Sequence, residues 1–271
     1  MSRTLVISDI HLQPERAEEW IARLSNRHDR VVFLGDYFDS HGAGNGPEPT
    51  ATTAAWLAES LKRPERVHLV GNHDLSYLFH RKFTACSGYS EENQAVLDPY
   101  LKDSAFSLLQ PAVAIDGWLL THAGVHRQLV KDLAPEAVLP LILEQWERLK
   151  EGGNPPLFGC GYARGGSQPF GGITWQDFGE FRPTPGLHQI FAHTPAKTVR
   201  VHWMLPQRRH ILKRAHRLDR VPGEVVGLAA ASSVNVCADT ELDSVLLIED
   251  GALTVFAENL PGGQLIVRTG A

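Results

Sequence analysis

Short apolar runs alternate with longer amphipathic stretches through the first third of the chain. Leu5–Ser8, Val31–Leu34 and Val67–Val70 read as brief buried strands. Between them, Glu15–Asn26 places Ala17, Trp20, Ile21 and Leu24 at helical spacing, and Thr52–Leu61 reads as a second helix. This alternation predicts a mainly parallel sheet with right-handed crossovers. The breakers in Ser40–Pro49 predict a surface excursion. Tyr77–Leu109 reads as interrupted helix, and Pro135–Lys150 as an amphipathic helix despite Pro140. Ala112–Ile115 and Trp118–Thr121 flank Asp116-Gly117, a strong hairpin signal. Eight glycines within Gly152–Gly172 predict a long mobile loop. The tail is strand-rich: Gln189–Ala192, Val199–Met204, Val234–Ala238, Val245–Ile248 and Leu253–Phe256, with Asp250-Gly251 at the last hairpin. No internal repeat is visible.

Composition narrows the class. A chain of 271 residues, 43% hydrophobic and 21% charged, is ordinary for a soluble globular protein. It reads as a single domain, 1–271, with a helical and glycine-rich insertion at about 127–172. No apolar run approaches a membrane span, and the one at the N-terminus is too short for a signal-peptide core. The expected location is the cytoplasm. Cys86, Cys160 and Cys237 are far apart with no CxxC pair, which fits free thiols. A net charge of -5 argues against a general nucleic-acid coat and leaves room for a local basic site, such as the run from Arg208 to Arg220.

The chemistry lies at the strand ends. Strand one runs into Asp9-Ile10-His11, strand two into Gly35-Asp36-Tyr37-Phe38-Asp39, and strand three into Gly71-Asn72-His73-Asp74. Later strands end in Thr121-His122-Ala123-Gly124 and Ala192-His193-Thr194-Pro195. Ligands of open α/β sheets bind beyond the carboxyl ends of strands, so one cleft is expected to collect Asp9, His11, Asp36, Asn72, His122 and His193. Their nitrogen and oxygen donors suit Mn, Fe or Zn, and no thiolate joins them.

The set D-x-H, G-D-x-x-D, G-N-H-D, H-A-G and A-H-T-P resembles the calcineurin-like metallophosphoesterases, and its wording is closest to the branch of serine/threonine protein phosphatases and diadenosine-tetraphosphate hydrolases. The resemblance implies a two-sheet β-sandwich flanked by helices, an α/β fold in four layers. It implies two divalent metal ions, with Mn2+ ranked ahead of Fe and Zn. Asp9 and His11 would bind the first, Asp36 would bridge both, and Asn72, His122 and His193 would hold the second. His73 matches the proton donor to the leaving group and Asp39 the carboxylate that orients it. The implied reaction is direct attack on a phosphate ester by a metal-bridging hydroxide. Asn235–Asp239 resembles the segment with which that branch closes its second sheet, and Trp175-Gln176-Asp177 a Trp-x-Asp segment near its site.

Two departures bear on substrate. Ser40 stands where the family often has a phosphate-clamping Arg, and Arg164 in the glycine-rich loop is the candidate replacement. Pro195 stands where many phosphodiesterases carry a further His, which leaves the first metal with Asp9, His11 and Asp36. These favour a phosphomonoesterase acting on a phosphoprotein, nucleotide or other small phosphorylated molecule. A dinucleotide hydrolase or phosphodiesterase ranks second, and a non-catalytic scaffold on this fold third. His41 and His126 lie close enough to the motifs to be tested as site residues.

Overall fold

The computed structural model describes residues 3–40, 44–205, 210–214, 232–258 and 260–268. In chain order the elements are β1 (Arg3–Ile7), α1 (Pro14–Arg23), β2 (Arg30–Phe33), α2 (Pro47–Leu61), β3 (Arg66–His68), α3 (Asn72–Phe79), α4 (Glu91–Leu101), β4 (Ala112–Ile115), β5 (Trp118–Thr121), α5 (Val138–Lys150), β6 (His188–Phe191), β7 (Arg200–Met204), β8 (His210–Arg214), β9 (Ser233–Cys237), β10 (Ser244–Glu249), β11 (Ala252–Ala257) and β12 (Leu260–Arg268). They form two six-stranded sheets, ordered β12-β11-β10-β1-β2-β3 and β4-β5-β6-β9-β7-β8. Each sheet is mixed. β1, β2 and β3 run parallel, as do β5, β6 and β9, while the remaining pairs are antiparallel.

The two-residue period of the strands explains the layering. Leu5, Ile7, Val31, Phe33, Val245 and Leu247 face one core, which they share with Trp20, Leu57, Leu75 and Leu97 of the helices. Their neighbours Val6, Val32, Leu246 and Ile248 face the other way, against Leu120, Ile190, Val201, Val234 and Val236 of the second sheet. Phe178 and Phe181 cover Phe191 and Cys237 in a smaller third cluster. The result is the α/β sandwich of two mixed sheets flanked by helices that the resemblance implied. Both Asp-Gly hairpins form, with left-handed φ at Asp116, Gly117, Asp250 and Gly251, the backbone such tight turns require.

Several expectations need correction. The glycine-rich segment is a loop with hydrogen bonds of its own. Its backbone closes on itself through Tyr162 N–H to Gln168 O at 2.8 Å, Gly172 N–H to Gly159 O at 2.9 Å and Ile173 N–H to Leu157 O at 2.7 Å. Its glycines allow close packing: a Cβ on Gly172 would sit 2.1 Å from Leu157 O, and one on Gly171 2.2 Å from Trp175 O. α2 begins at Pro47, inside the expected surface excursion, because proline fits a first helical turn that needs no N–H. Pro140 is tolerated in α5 for the same reason, as its third residue. α3 begins at Asn72, so the G-N-H-D motif opens a helix. His41, Arg208, Arg209, His216, Arg217 and Arg220 lie outside the described residues. All three cysteines are free. Among the described residues no helix is long and apolar enough to cross a membrane.

Candidate metal centre

Five loops meet where β1, β2, β3, β5 and β6 end, and their backbones are bent to make the meeting possible. His11, Asp36 and His193 all hold left-handed φ (40°, 55° and 69°), a conformation that costs side-chain-bearing residues about 1–3 kcal/mol each. Gly35 and Gly71 make the closest approach: a Cβ on Gly71 would lie 1.9 Å from Asp36 Oδ1. Asp74 holds that junction. Its Oδ2 accepts from Asp36 N–H and Gly71 N–H at 2.8 Å each, and its Oδ1 from Tyr37 N–H at 2.7 Å. Burial and the Asp36 charge push the Asp74 carboxyl up to about 7, against the pull of those donors.

All six residues expected to bind metal converge here. Two donor clusters form, Asp9–His11–Asp36 and Asp36–His122–His193, and Asp36 alone belongs to both. Asp36 Oδ2 lies 3.8 Å from His11 Nε2 and 3.3 Å from His122 Nε2. Its Oδ1 accepts from His73 N–H at 3.0 Å. Asn72 Oδ1 and His193 Nδ1 stand 3.1 and 3.2 Å from His122 Nε2. The imidazoles are aimed through their far nitrogens. His11 Nδ1 pairs with Asp39 O at 2.8 Å and His122 Nδ1 with Leu34 O at 2.9 Å, contacts that place the ring proton on Nδ1 and leave Nε2 a lone pair. The Asn72 amide is oriented likewise, since its Nδ2 donates to Cys86 Sγ at 3.2 Å.

The electrostatics fit a cation in each cluster. Asp9, Asp36 and Asp239 are all buried, at 3%, 1% and 3% exposure, so their charges are poorly hydrated and close together. Burial, then Asp239, raises Asp9 well above the usual carboxylate range. Burial pushes Asp36 upward too, but the His122, His73 and His11 charges pull it well below that range. Burial depresses His122, yet Asp36 and Asp9 outweigh it and carry it up to about 9. The same two carboxylates would attract a metal ion beside His122 Nε2, in competition with the proton. Burial and the His122 and Arg164 charges push His193 well down, keeping its ring neutral as a ligand must be.

His73 and Asp39 sit beside this pair. His73 Nδ1 is paired with Asp39 Oδ1. Asp39 Oδ2 accepts from Tyr77 Oη at 3.1 Å, and Gly88 packs so closely that a Cβ there would lie 2.5 Å from it. Burial lowers His73, but Asp36, Asp39 and Cys86 overcome it and raise it to about 12. The carboxylates of Asp36 and Asp39 thus favour the protonated form of the ring.

The structure also locates the remaining candidates. Arg164 reaches the His193 loop, where its Nη2 donates to Thr194 Oγ1 and pairs with Asp177 Oδ2, both at 3.0 Å. Arg164 Nε is buried with no hydrogen-bond partner. Trp175 lies edge-on to His193, 6.0 Å between ring centres. His126 Nδ1 accepts from Gln128 N–H at 3.2 Å, and its ring stacks on Phe170. Sequence reasoning assigned no site role to Asp74, Asp239, Cys86 or Arg200. Arg200 lies over Phe178 at 4.1 Å and donates to Thr194 O, so it steadies the loop that carries His193. Of these, only Asp74 and Asp239 sat in quoted motifs, and their burial is what singles them out.

A profile of calcineurin-like phosphoesterases matches residues 2–197. The chain belongs to the calcineurin-like phosphoesterase family. Solved structures similar to this family member include a cold-active protein-tyrosine phosphatase from a psychrophilic Shewanella species, at 12% identity and TM-score 0.53, covering 98% of this chain and 81% of that one. A point mutant of a cold-active protein tyrosine phosphatase gives 14% identity and TM-score 0.56, with coverages of 98% and 81%. A protein serine/threonine phosphatase from Saccharomyces cerevisiae lies further off, at 14% identity and TM-score 0.36, covering 92% of this chain and 73% of that one. For the two tyrosine phosphatases the likeness is one of fold. No curated protein sequence matches the chain.

Proposed function

We propose that this calcineurin-like phosphoesterase is a phosphomonoesterase using two divalent ions, with Mn2+ the first candidate and Fe or Zn the alternatives. The observation that carries this reading is the pair of donor clusters sharing only Asp36. Asp9 and His11 would hold the first ion, Asn72, His122 and His193 the second, and Asp36 would serve both. When bound, such a pair polarises the phosphoryl oxygens and acidifies a water toward neutral pKa. The protein's own groups do the rest. The left-handed turns at His11, Asp36 and His193 fix donor directions before substrate arrives. Asp39, anchored by Tyr77, orients His73 and keeps it protonated for delivery to the departing alkoxide oxygen. The segment 127–172 forms one wall of a single-domain enzyme and presents Arg164.

Arg164 is proposed as the group that takes over from Ser40 in holding the phosphate. Its guanidinium sits at the loop that carries His193, where Nη2 donates to Thr194 Oγ1 and pairs with Asp177 Oδ2. Losing a charge-assisted hydrogen bond weakens binding by roughly tenfold. We expect Arg164→Ala to raise KM for p-nitrophenyl phosphate about that much at nearly constant kcat; an unchanged KM removes it from the phosphate site.

The test of the function is hydrolysis by the Mn2+-loaded protein of p-nitrophenyl phosphate, bis-p-nitrophenyl phosphate and diadenosine tetraphosphate. Preference for the monoester is expected. Preference for either of the others transfers the assignment to a diesterase or dinucleotide hydrolase, and failure on all three favours a scaffold.

A further inference from the structure

A sixth strand end reaches the metal centre, one that the expected donor set leaves out. β9 runs parallel to β6 with Cys237 opposite Phe191, so Asp239 leaves its strand in the same register as His193. Ala238 N–H donates to Phe191 O at 2.7 Å, and Asp239 O accepts from Ala196 N–H at 3.2 Å. The Asp239 backbone therefore lies against the residue after Pro195, which stands where a further histidine would serve the first ion. β9 belongs to one sheet and β10 to the other, and β10 starts beside the end of β1 that runs into Asp9. The turn between them is fixed. Ser244 N–H donates to Thr240 Oγ1 at 3.0 Å, Trp20 Nε1 to Leu242 O at 2.9 Å and Arg16 Nη1 to Glu241 O at 2.8 Å.

Asp239 is 3% exposed, and among the described residues no basic side chain forms an ion pair with it. Glu241 N–H donates to its Oδ1 at 3.3 Å. Burial raises the carboxyl, and the Glu241 N–H, then the His11 and His122 charges, draw it back. After burial, Asp239 is the largest influence holding Asp9 up, so the two carboxylates feel each other across the first donor cluster. A buried carboxylate without a counter-charge is strongly unfavourable, and a cation in that cluster offsets it. Charge balance points the same way. Two divalent ions bring four positive charges, of which Asp9 and Asp36 answer two, while Asn72 and neutral His11, His122 and His193 add none. We propose that Asp239 is a further metal-directed residue, and that its carboxylate supports the first ion in place of the histidine absent at Pro195. This inference rests on the two-ion reading of the site and adds to it a residue outside the expected donors.

The test is Mn2+ binding by the full chain. Asp239→Asn removes the charge and keeps an oxygen for Glu241 N–H. Removing a group that supports a metal site from outside its donor set weakens metal binding roughly 10–100-fold. Titration with Mn2+ and elemental analysis should give the wild-type chain two ions, and Asp239→Asn one ion of unchanged affinity and one weakened by that factor. In a His193→Ala background, where the first ion is expected alone, Asp239→Asn should weaken that ion equally. Thermal unfolding separates a metal-directed role from a structural one. Without metal, Asp239→Asn relieves repulsion among three buried carboxylates and should raise Tm, while the gain in Tm on adding Mn2+ should be smaller than in the wild type. A fall in Tm of equal size with and without Mn2+ makes Asp239 a structural group and overturns the proposal. A wild-type chain that binds one ion overturns the two-ion reading and this inference with it. Two ions bound as tightly after Asp239→Asn as before overturn this inference alone.

Discussion

At the scale of single residues, the donors were legible because their spacing is local: each follows a short apolar run that could only be a strand. The groups that hold the donors were hidden, because their partners are distant in sequence. Asp74 clamps a turn 38 residues earlier, Cys86 orients Asn72 from 14 residues away, and Arg200 reaches back six residues to a carbonyl. Nothing in G-N-H-D announces that its last carboxylate binds backbone amides rather than metal. His73 gives the sharpest residue-level prediction. Removing a general acid costs roughly 10²–10⁴ in kcat. We expect His73→Ala to lose that much while elemental analysis still finds two metal ions per chain. Loss of metal along with activity would make His73 a structural support of the centre instead.

At the scale of elements, hydrophobic period placed most helices and strands, and the exceptions have physical causes. β8 was not expected because it lies in a stretch dominated by basic residues, and pairing with β7 makes it a strand. β12 was masked by Pro261, Gly262 and Gly263, breakers that the strand absorbs with register shifts against β11. In the segment 152–172 glycine permits mobility and close packing alike, and the backbone bonds favour packing. Hydrogen exchange should therefore find the amides of Tyr162, Gly172 and Ile173 protected like those of the sheets. Exchange at the rate of an open chain would restore the mobile loop.

At the scale of the molecule, the acid response belongs to a buried histidine as well as to the metal centre. His68 is 1% exposed, stacked on Phe33 and held between Tyr37 Oη at 3.1 Å and Ser60 Oγ at 2.9 Å. Burial, then the Arg66 charge, lowers it from 6.5 to about 3. A depressed histidine binds fewer protons when folded, so its contribution is complete above pH 6.5 and is lost as pH falls toward 3. The slope is about 1.4 kcal/mol per pH unit. In urea melts between pH 7 and 4.5, the wild-type protein should lose a few kcal/mol more than His68→Asn does. Equal losses would mean that His68 titrates in the folded state as it does in the unfolded one.

Asp36 is proposed to serve two ions, and metal stoichiometry tests that directly. After saturation with Mn2+ and removal of excess, the wild-type chain should retain two ions, His193→Ala one, and Asp36→Ala fewer than one. A wild-type chain that binds a single ion, or an Asp36→Ala variant that keeps both, would contradict the shared centre.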